Sequence, residues 1–341
     1  MWQGYFRLYA YWAADAGRFY DQSLTDRSPF SAPQARSLIG TENSSFPGTF
    51  YLRYWQDSWK KVIFGDRPLP SWVKTTRKPS NYLKRILSAG FNGVYLDDVD
   101  AYQQFNSEGD NSRPSAALEM LLFIRELSAW AKSKKPRFLI VPQNGENLFN
   151  DALENLDTNG NEQLEPSDRL IGLSRGTLFL DLNNNEKRDR DEPAIASLDQ
   201  NRDRSISRFE IAEAYFKSID GLGSEDFFFK GNAEENNPWI DSLAANDRRL
   251  EDFKFTGENY LNYAKRGLPI FNVEYLSENN QIGIEQYRQV VSAQFQFTNP
   301  ALTASPSNPI FTSNDLRQLP LVPLRAPSRG LDQPPALNLF N

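Results

Sequence analysis

The sequence predicts an α/β protein: a (β/α)8 barrel that lacks its first βα unit in this chain and carries an inserted acidic lobe. Three observations predict it. Strand-like and helix-like segments alternate in both halves of the chain, about seven strands can be recognised, and residues 155–210 break the alternation with Asp, Asn, Arg and Glu in place of large apolar residues. At 341 residues, 39% hydrophobic and 13% aromatic, the chain can bury a large core, and disorder is excluded as its overall state.

The elements follow in order. Phe6–Trp12 and Phe50–Trp55 are aromatic and aliphatic enough for strands. Met1 stands close ahead of the first of them, so a further βα unit is expected upstream. From Ser80 the pattern becomes helical: Leu83, Ile86 and Leu87 share a face, and Gly90 stops the helix before a strand at Gly93–Leu96. A second helix spans Ser115–Lys132, with Leu118, Leu121, Leu122 and Leu127 at helical spacing. Pro136 then precedes a strand at Phe138–Val141. After the insertion, Ile211–Ser218 reads as helix and Ile219–Phe229 as strand and loop. Tyr260–Arg266 is a helix stopped by Gly267, Pro269–Tyr275 a strand, and Ile284–Val291 a helix. Residues 300–341 hold eight of the 21 prolines and little periodicity, which predicts an irregular tail without catalytic residues. The expected organisation is therefore barrel at 1–154, lobe at 155–210, barrel again at 211–300 and tail at 301–341.

Composition removes several function classes. With no His and no Cys, the chain cannot hold a Ser-His-Asp or Cys-His nucleophile, the usual zinc site, an iron–sulfur cluster or a disulfide. Acid–base chemistry falls to carboxylates. A net charge of -6 argues against nucleic acid as a partner. No run approaches the ~18 apolar residues of a membrane span, and the first thirty residues do not read as a signal peptide. The absence of cysteine fits a reducing cytosol and fits equally an exported bacterial protein that avoids stray thiols. Oligomeric state is not specified.

Within the insertion, three twelve-residue windows approach a calcium loop, which sets oxygen ligands at positions 1, 3, 5, 7, 9 and 12 so that side chains converge on a hard cation. The best match runs from Asp199 through Asn201, Asp203, Ser205 and Ser207 to Glu210, with Ile206 at position 8 and a helix following. A second uses Asp181, Asn183, Asn185, Asp189 and Glu192. The third uses Asp157, Asn159, Asn161, Glu165 and Asp168. None has the glycine expected at position 6. The first two windows resemble EF-hand or dockerin-like repeats, and Gly176–Pro193 resembles the B-type repeats of bacterial surface adhesins. Either resemblance implies structural calcium and an extracellular or cell-surface setting.

Four predicted strands end in carboxylates or amides: Asp97, Asp98 and Asp100 with Tyr102; Gln143 and Asn144 with Glu146; Glu225 and Asp226 after Ser224; and Glu274. Parallel strands of a barrel present such residues at one mouth. A lone acid there is an ordinary helix cap or turn former, but crowded carboxylates repel and imply a metal, a cationic partner or a reaction that uses a shifted proton. Glycoside hydrolysis has that need and no need of histidine.

The segments Phe91–Tyr102, Val141–Glu146, Ile219–Asp226 and Tyr51–Gly65 resemble glycoside hydrolase family 114 and related extracellular endo-α-1,4-polygalactosaminidase-like proteins. The resemblance spans about 5–150 and 211–300. It implies a TIM barrel that cleaves α-linked polysaccharide containing amino sugars, with the nucleophile at Asp97 and the acid/base at Glu225, and no catalytic cofactor. Asp98, Asp100, Tyr102, Gln143, Asn144, Glu146, Asp226 and Glu274 would line the sugar subsites, with Arg53, Tyr54 and Trp55 as walls. Two features depart from the family pattern: its first strand is absent, and Ala13-Ala14-Asp15-Ala16 replaces a Gly-Glu after its second strand. They leave open a non-catalytic surface barrel that binds glycan and carries a calcium-stabilised lobe. A magnesium-dependent phosphoester hydrolase built on Asp97, Asp98 and Asp100 is disfavoured by the missing histidine and the sparse basic residues nearby.

Overall fold

A computed structural model of the chain describes residues 4–7, 9–10, 37–42, 50–68, 81–106, 112–225, 262–263, 266–273 and 321–324. The chain divides into two compact units: residues 1–140, 148–219 and 335–341, and residues 141–147 and 220–334.

In the first unit, β1 (Gly4–Arg7) runs parallel to β5 (Gly93–Asp97), with Arg7 opposite Asp97. The strand β6 (Leu139–Pro142) begins on the other side of β5. Val94, Tyr95 and Leu96 are all buried, as the unbroken apolar run of a parallel strand requires. Gly93 is needed for the close approach of these strands: a Cβ there would fall 2.7 Å from both the Cβ and the carbonyl oxygen of Leu139.

Phe6–Trp12 is not one strand but the end of β1 followed by β2 (Tyr9–Ala10), which belongs to a different sheet. That sheet contains β3 (Ile39–Glu42) and β4 (Phe50–Leu52), in the order β2-β4-β3 with both pairings antiparallel. The strand predicted at Phe50–Trp55 therefore stops at Leu52 and is not part of the parallel alternation. The Tyr54 N–H turns back to the Leu52 carbonyl at 2.8 Å, and extended Gln56 leads into α1 (Asp57–Ile63).

The helices predicted from Ser80, at Ser115–Lys132 and at Ile211–Ser218 are present with small shifts. The helix α2 (Tyr82–Ser88) starts at Asn81, whose Oδ1 accepts the Lys84 N–H at 2.9 Å, and ends before Gly90 in the left-handed region. After β5 come α3 (Tyr102–Asn106) and α4 (Ala116–Lys134). Every residue of α4 from Ala116 to Ile124 is buried, which marks it as a core helix. Its one buried acid, Glu119, is held by the Arg113 guanidinium at 2.5 and 2.8 Å and by the Ser115 hydroxyl at 3.2 Å. The helices α5 (Leu148–Glu154) and α6 (Arg208–Phe216) meet through Phe149, whose ring lies 5.1 Å from Phe216 and stacks toward Tyr215 at 6.4 Å.

The acidic segment contributes small pieces of sheet to the first unit: β7 (Gln163–Leu164) pairs with β10 (Ile206–Ser207), and β8 (Ile171–Ser174) with β9 (Thr177–Leu180). Leu164, Ile171, Leu178, Phe179, Leu180, Ile195, Leu198 and Ile206 are buried beneath its polar loops.

In the second unit, β11 (Leu222–Glu225), β12 (Ile270–Val273) and β13 (Leu321–Leu324) pair in that order, all parallel. Ile219–Phe229 and Pro269–Tyr275 thus contain the expected strands. Residues 301–341, predicted as an irregular tail, supply β13. Its four residues include Pro323, which cannot donate to a ladder, so the segment lacks an ordinary strand signature. Of the helix expected at Tyr260–Arg266, residues 262–263 are described as helical; the helix at Ile284–Val291 lies outside the described residues.

Candidate active site

Asp97 is the last residue of β5, and the chain turns sharply after it. Asp98 sits in the left-handed region at φ 53° and ψ 45°, and its carbonyl accepts the Ala101 N–H at 3.1 Å to close a 3-10 turn at Val99–Ala101. A non-glycine residue there costs roughly 1–2 kcal/mol, so its surroundings must impose it. Val99, Ala101 and Tyr102 are buried, while Asp97, Asp98 and Asp100 keep partial exposure. The turn thus sends its apolar residues into the core and leaves three carboxylates near the surface.

Tyr51 of β4 belongs to this cluster. Burial raises its phenol above the ordinary value, and the carboxylates of Asp98 and Asp100 raise it further. Tyr51 is a site residue that the sequence pattern alone does not single out, although it opens the segment Tyr51–Gly65. Its signal was a strand aromatic two positions before Arg53.

Two residues expected to line the sugar site are core residues instead. Tyr54 is fully buried, with its hydroxyl donating to the Ala116 carbonyl at 2.7 Å and its ring edge-on to Trp55, Phe105 and Phe123. Tyr102 is also fully buried, and its hydroxyl donates to Asp151 Oδ2 at 2.6 Å. Arg53 is half-buried and donates to the Ser37 carbonyl at 2.9 Å. Trp55 is half-buried with the Arg113 guanidinium 4.3 Å from its ring.

In the second unit, Gln143 follows β6, is buried, and bridges in parallel to Gly223 of β11. Asn144 lies in the left-handed region at φ 54°, and its N–H donates to the Gly223 carbonyl at 3.0 Å. The fully buried Tyr263 donates its hydroxyl to the Gly145 carbonyl at 2.8 Å, which fixes the segment carrying the half-buried Glu146. Glu225 is the last residue of β11, opposite Val273. Asp226, Glu274 and Ala13–Ala16 lie outside the described residues.

The three acidic windows fold alike. In each, the position-1 carboxylate (Asp157, Asp181, Asp199) accepts the N–H of position 6 at 2.8, 2.8 and 3.0 Å. The position-12 carboxylate (Asp168, Glu192, Glu210) accepts from position 2 at 2.9, 2.8 and 2.7 Å, and from position 9 at 3.0, 2.8 and 2.9 Å. Position 3 accepts from position 5, and position 5 from position 7. Position 6 lacks glycine yet is left-handed in all three, at φ 62°, 59° and 71° for Glu162, Glu186 and Arg204.

Two of these loops are joined through their eighth positions, because Leu164 pairs with Ile206 in the β7–β10 ladder. Ser205 Oγ also donates to Gln163 Oε1. Asn159 and Asn161 converge on Glu165, each at 3.1 Å, and Asn183 and Asn185 on Asp189 at 2.8 and 2.9 Å. Burial raises the Glu210 carboxyl, but hydrogen bonds from the Ser207 N–H and hydroxyl and from the Gln200 and Asn201 N–H groups outweigh it and hold the group below its ordinary value. Among the described residues, no group of three or more His, Cys, Asp or Glu side chains is arranged to hold a metal ion, so a cation here would need the amide oxygens and backbone carbonyls as well.

Comparison with known proteins gives one family match: the profile of glycoside-hydrolase family GH114 matches residues 10–318. An uncharacterized protein of Thermotoga maritima is 35% identical over 111 residues, which are 33% of this chain and 29% of that one. One from Deinococcus radiodurans is 31% identical over 131 residues, 38% of this chain and 36% of its own. A third, from Methanocaldococcus jannaschii, is 36% identical over 112 residues, 33% and 28% of the two chains. The matched stretches span about a third of the length of these curated relatives.

Proposed function

The chain belongs to glycoside-hydrolase family GH114, and from that premise we propose that it hydrolyses an α-linked polysaccharide containing amino sugars, with Asp97 and Glu225 as the reacting carboxyls. The observation that carries this reading is that each residue ends a parallel strand, Asp97 in β5 and Glu225 in β11. One carboxylic acid, Glu225, gives its proton to the glycosidic oxygen as the bond to the anomeric carbon breaks. Asp97 stabilises the developing positive charge by attacking that carbon, and water then releases the sugar with Glu225 as base. In the same reading the strands close into a (β/α)8 barrel.

Asp98 and Asp100, beside the Tyr51 phenol, suit a sugar ammonium: two carboxylates and an aromatic face attract a cation more strongly than a neutral sugar. Glu146 and Asn144 contribute further polar contacts. The substrate to use is therefore an α-1,4-linked galactosamine polymer. New reducing ends should appear on incubation, and their absence over long incubation together with retained binding would favour a glycan-binding protein. Product anomers separate the mechanisms: retention corresponds to carboxyls ~5–5.5 Å apart and inversion to ~6.5–9.5 Å.

The lobe, in this proposal, is held by structural calcium at the three windows. Support comes from the shared hydrogen-bond frame and from the pairing of two loops through Leu164 and Ile206. Sites of this kind bind calcium at about 10⁻⁴–10⁻³ M in extracellular modules, which fits action outside the cell.

A further inference from the structure

We propose that Asp151 is a positioning residue for the acidic turn after β5, acting through the hydroxyl of Tyr102; the inference rests on the reading of Asp97 as the attacking carboxylate. The turn leaves β5 at Asp97, passes through left-handed Asp98 and the 3-10 turn, and enters α3 at Tyr102. Its geometry is costly at Asp98 and persists only where neighbours over-determine it. At its far end Tyr102 is fully buried, and its hydroxyl lies 2.6 Å from Asp151 Oδ2 on α5. That is the length of a charge-assisted O–H···O⁻ bond, about twice as strong as a neutral one.

The bond joins residues 49 positions apart in sequence. It ties the register of α3, and with it the exit angle of Asp97 and Asp98, to the first turn of α5. Burial raises the Asp151 carboxyl above its ordinary value, Tyr102 opposes this, and Glu154 adds to it. The carboxylate is thus kept at a solvation cost on a half-buried position of α5. Holding the turn explains why an acceptor stands there.

The test compares Asp151→Ala, Asp151→Asn and Tyr102→Phe in the full chain, with two readouts. On galactosamine polymer, Asp151→Ala and Tyr102→Phe should lower kcat about tenfold or more with KM within about twofold, because a misplaced reacting group costs turnover more than binding. Asp151→Asn keeps an acceptor for the hydroxyl and should stay within about threefold of the parent. Amide hydrogen exchange should show lost protection at residues 98–102 in the first two variants, with α4 unchanged. Parental kcat and protection in both variants would overturn the proposal. So would equal loosening of α4 and the turn, with Asp151→Asn as damaging as Asp151→Ala. A parent chain that cleaves nothing, with the local loss of protection still present, would remove Asp97 as nucleophile and keep Asp151 as the anchor of the turn.

Discussion

Tyr54 and Tyr51 show how little separates a core aromatic from a site aromatic. The run Tyr51-Leu52-Arg53-Tyr54-Trp55 is aromatic at three of its five positions, yet Tyr54 is fully buried while Tyr51 stays half-exposed beside Asp98 and Asp100. What decides is position and not residue type: burial alternates along the run, with Leu52 and Tyr54 buried and Tyr51, Arg53 and Trp55 half-buried. Tyr54→Phe should therefore lower stability by about 1 kcal/mol through loss of its bond to the Ala116 carbonyl, read by urea unfolding, and leave catalysis unchanged. The acids after β5 were legible because strand-end carboxylates follow from the alternation itself. Asp151 was not: it lies inside a helix, and only the folded chain brings it to Tyr102.

Among the elements, the acidic loops carry the sequence's most regular signal. Positions 1, 3, 5, 9 and 12 recur in each window, and the structure gives each the same hydrogen-bond frame, with the cost of the left-handed sixth residue offset by the bond its N–H donates to the position-1 carboxylate. The last loop also starts α6: Ser207 and Glu210 form a reciprocal capping box. Because hydrogen bonds hold the Glu210 carboxyl below its ordinary value, its stabilisation is present above the unfolded-state pKa and is lost as pH falls through the folded-state value. Glu210→Gln should thus lower the melting temperature at neutral pH, and the gap to the parent should narrow as pH falls below the ordinary Glu value of about 4.3 and close once the folded-state carboxyl is protonated. Calcium at a hundredfold excess over Kd should add about 2.7 kcal/mol per occupied site. Differential scanning calorimetry with calcium and then chelator reads this directly, and an unchanged melt would mean plain solvated loops. Where prediction failed at this scale, elements were short: β2 has two residues, β4 three, and β13 contains a proline. Such segments form because a neighbouring strand offers a ladder, which periodicity does not record.

At the scale of the whole molecule, the alternation of strands and helices correctly gave a mixed α/β fold, and the four motif segments correctly pointed to family GH114. Parallel pairing occurs within both units, through β1 with β5 and through β11, β12 and β13. Each of those sheets has one strand that ends in a proposed reacting carboxylate. The central claim is that Asp97 and Glu225 act on the same glycosidic bond. The most direct measurement is the rate of reducing-end release from galactosamine polymer by the parent, Asp97→Asn and Glu225→Gln, each checked for an unchanged melting temperature. The account predicts a loss of about a thousandfold or more in kcat for either variant; parental rates in both would contradict it.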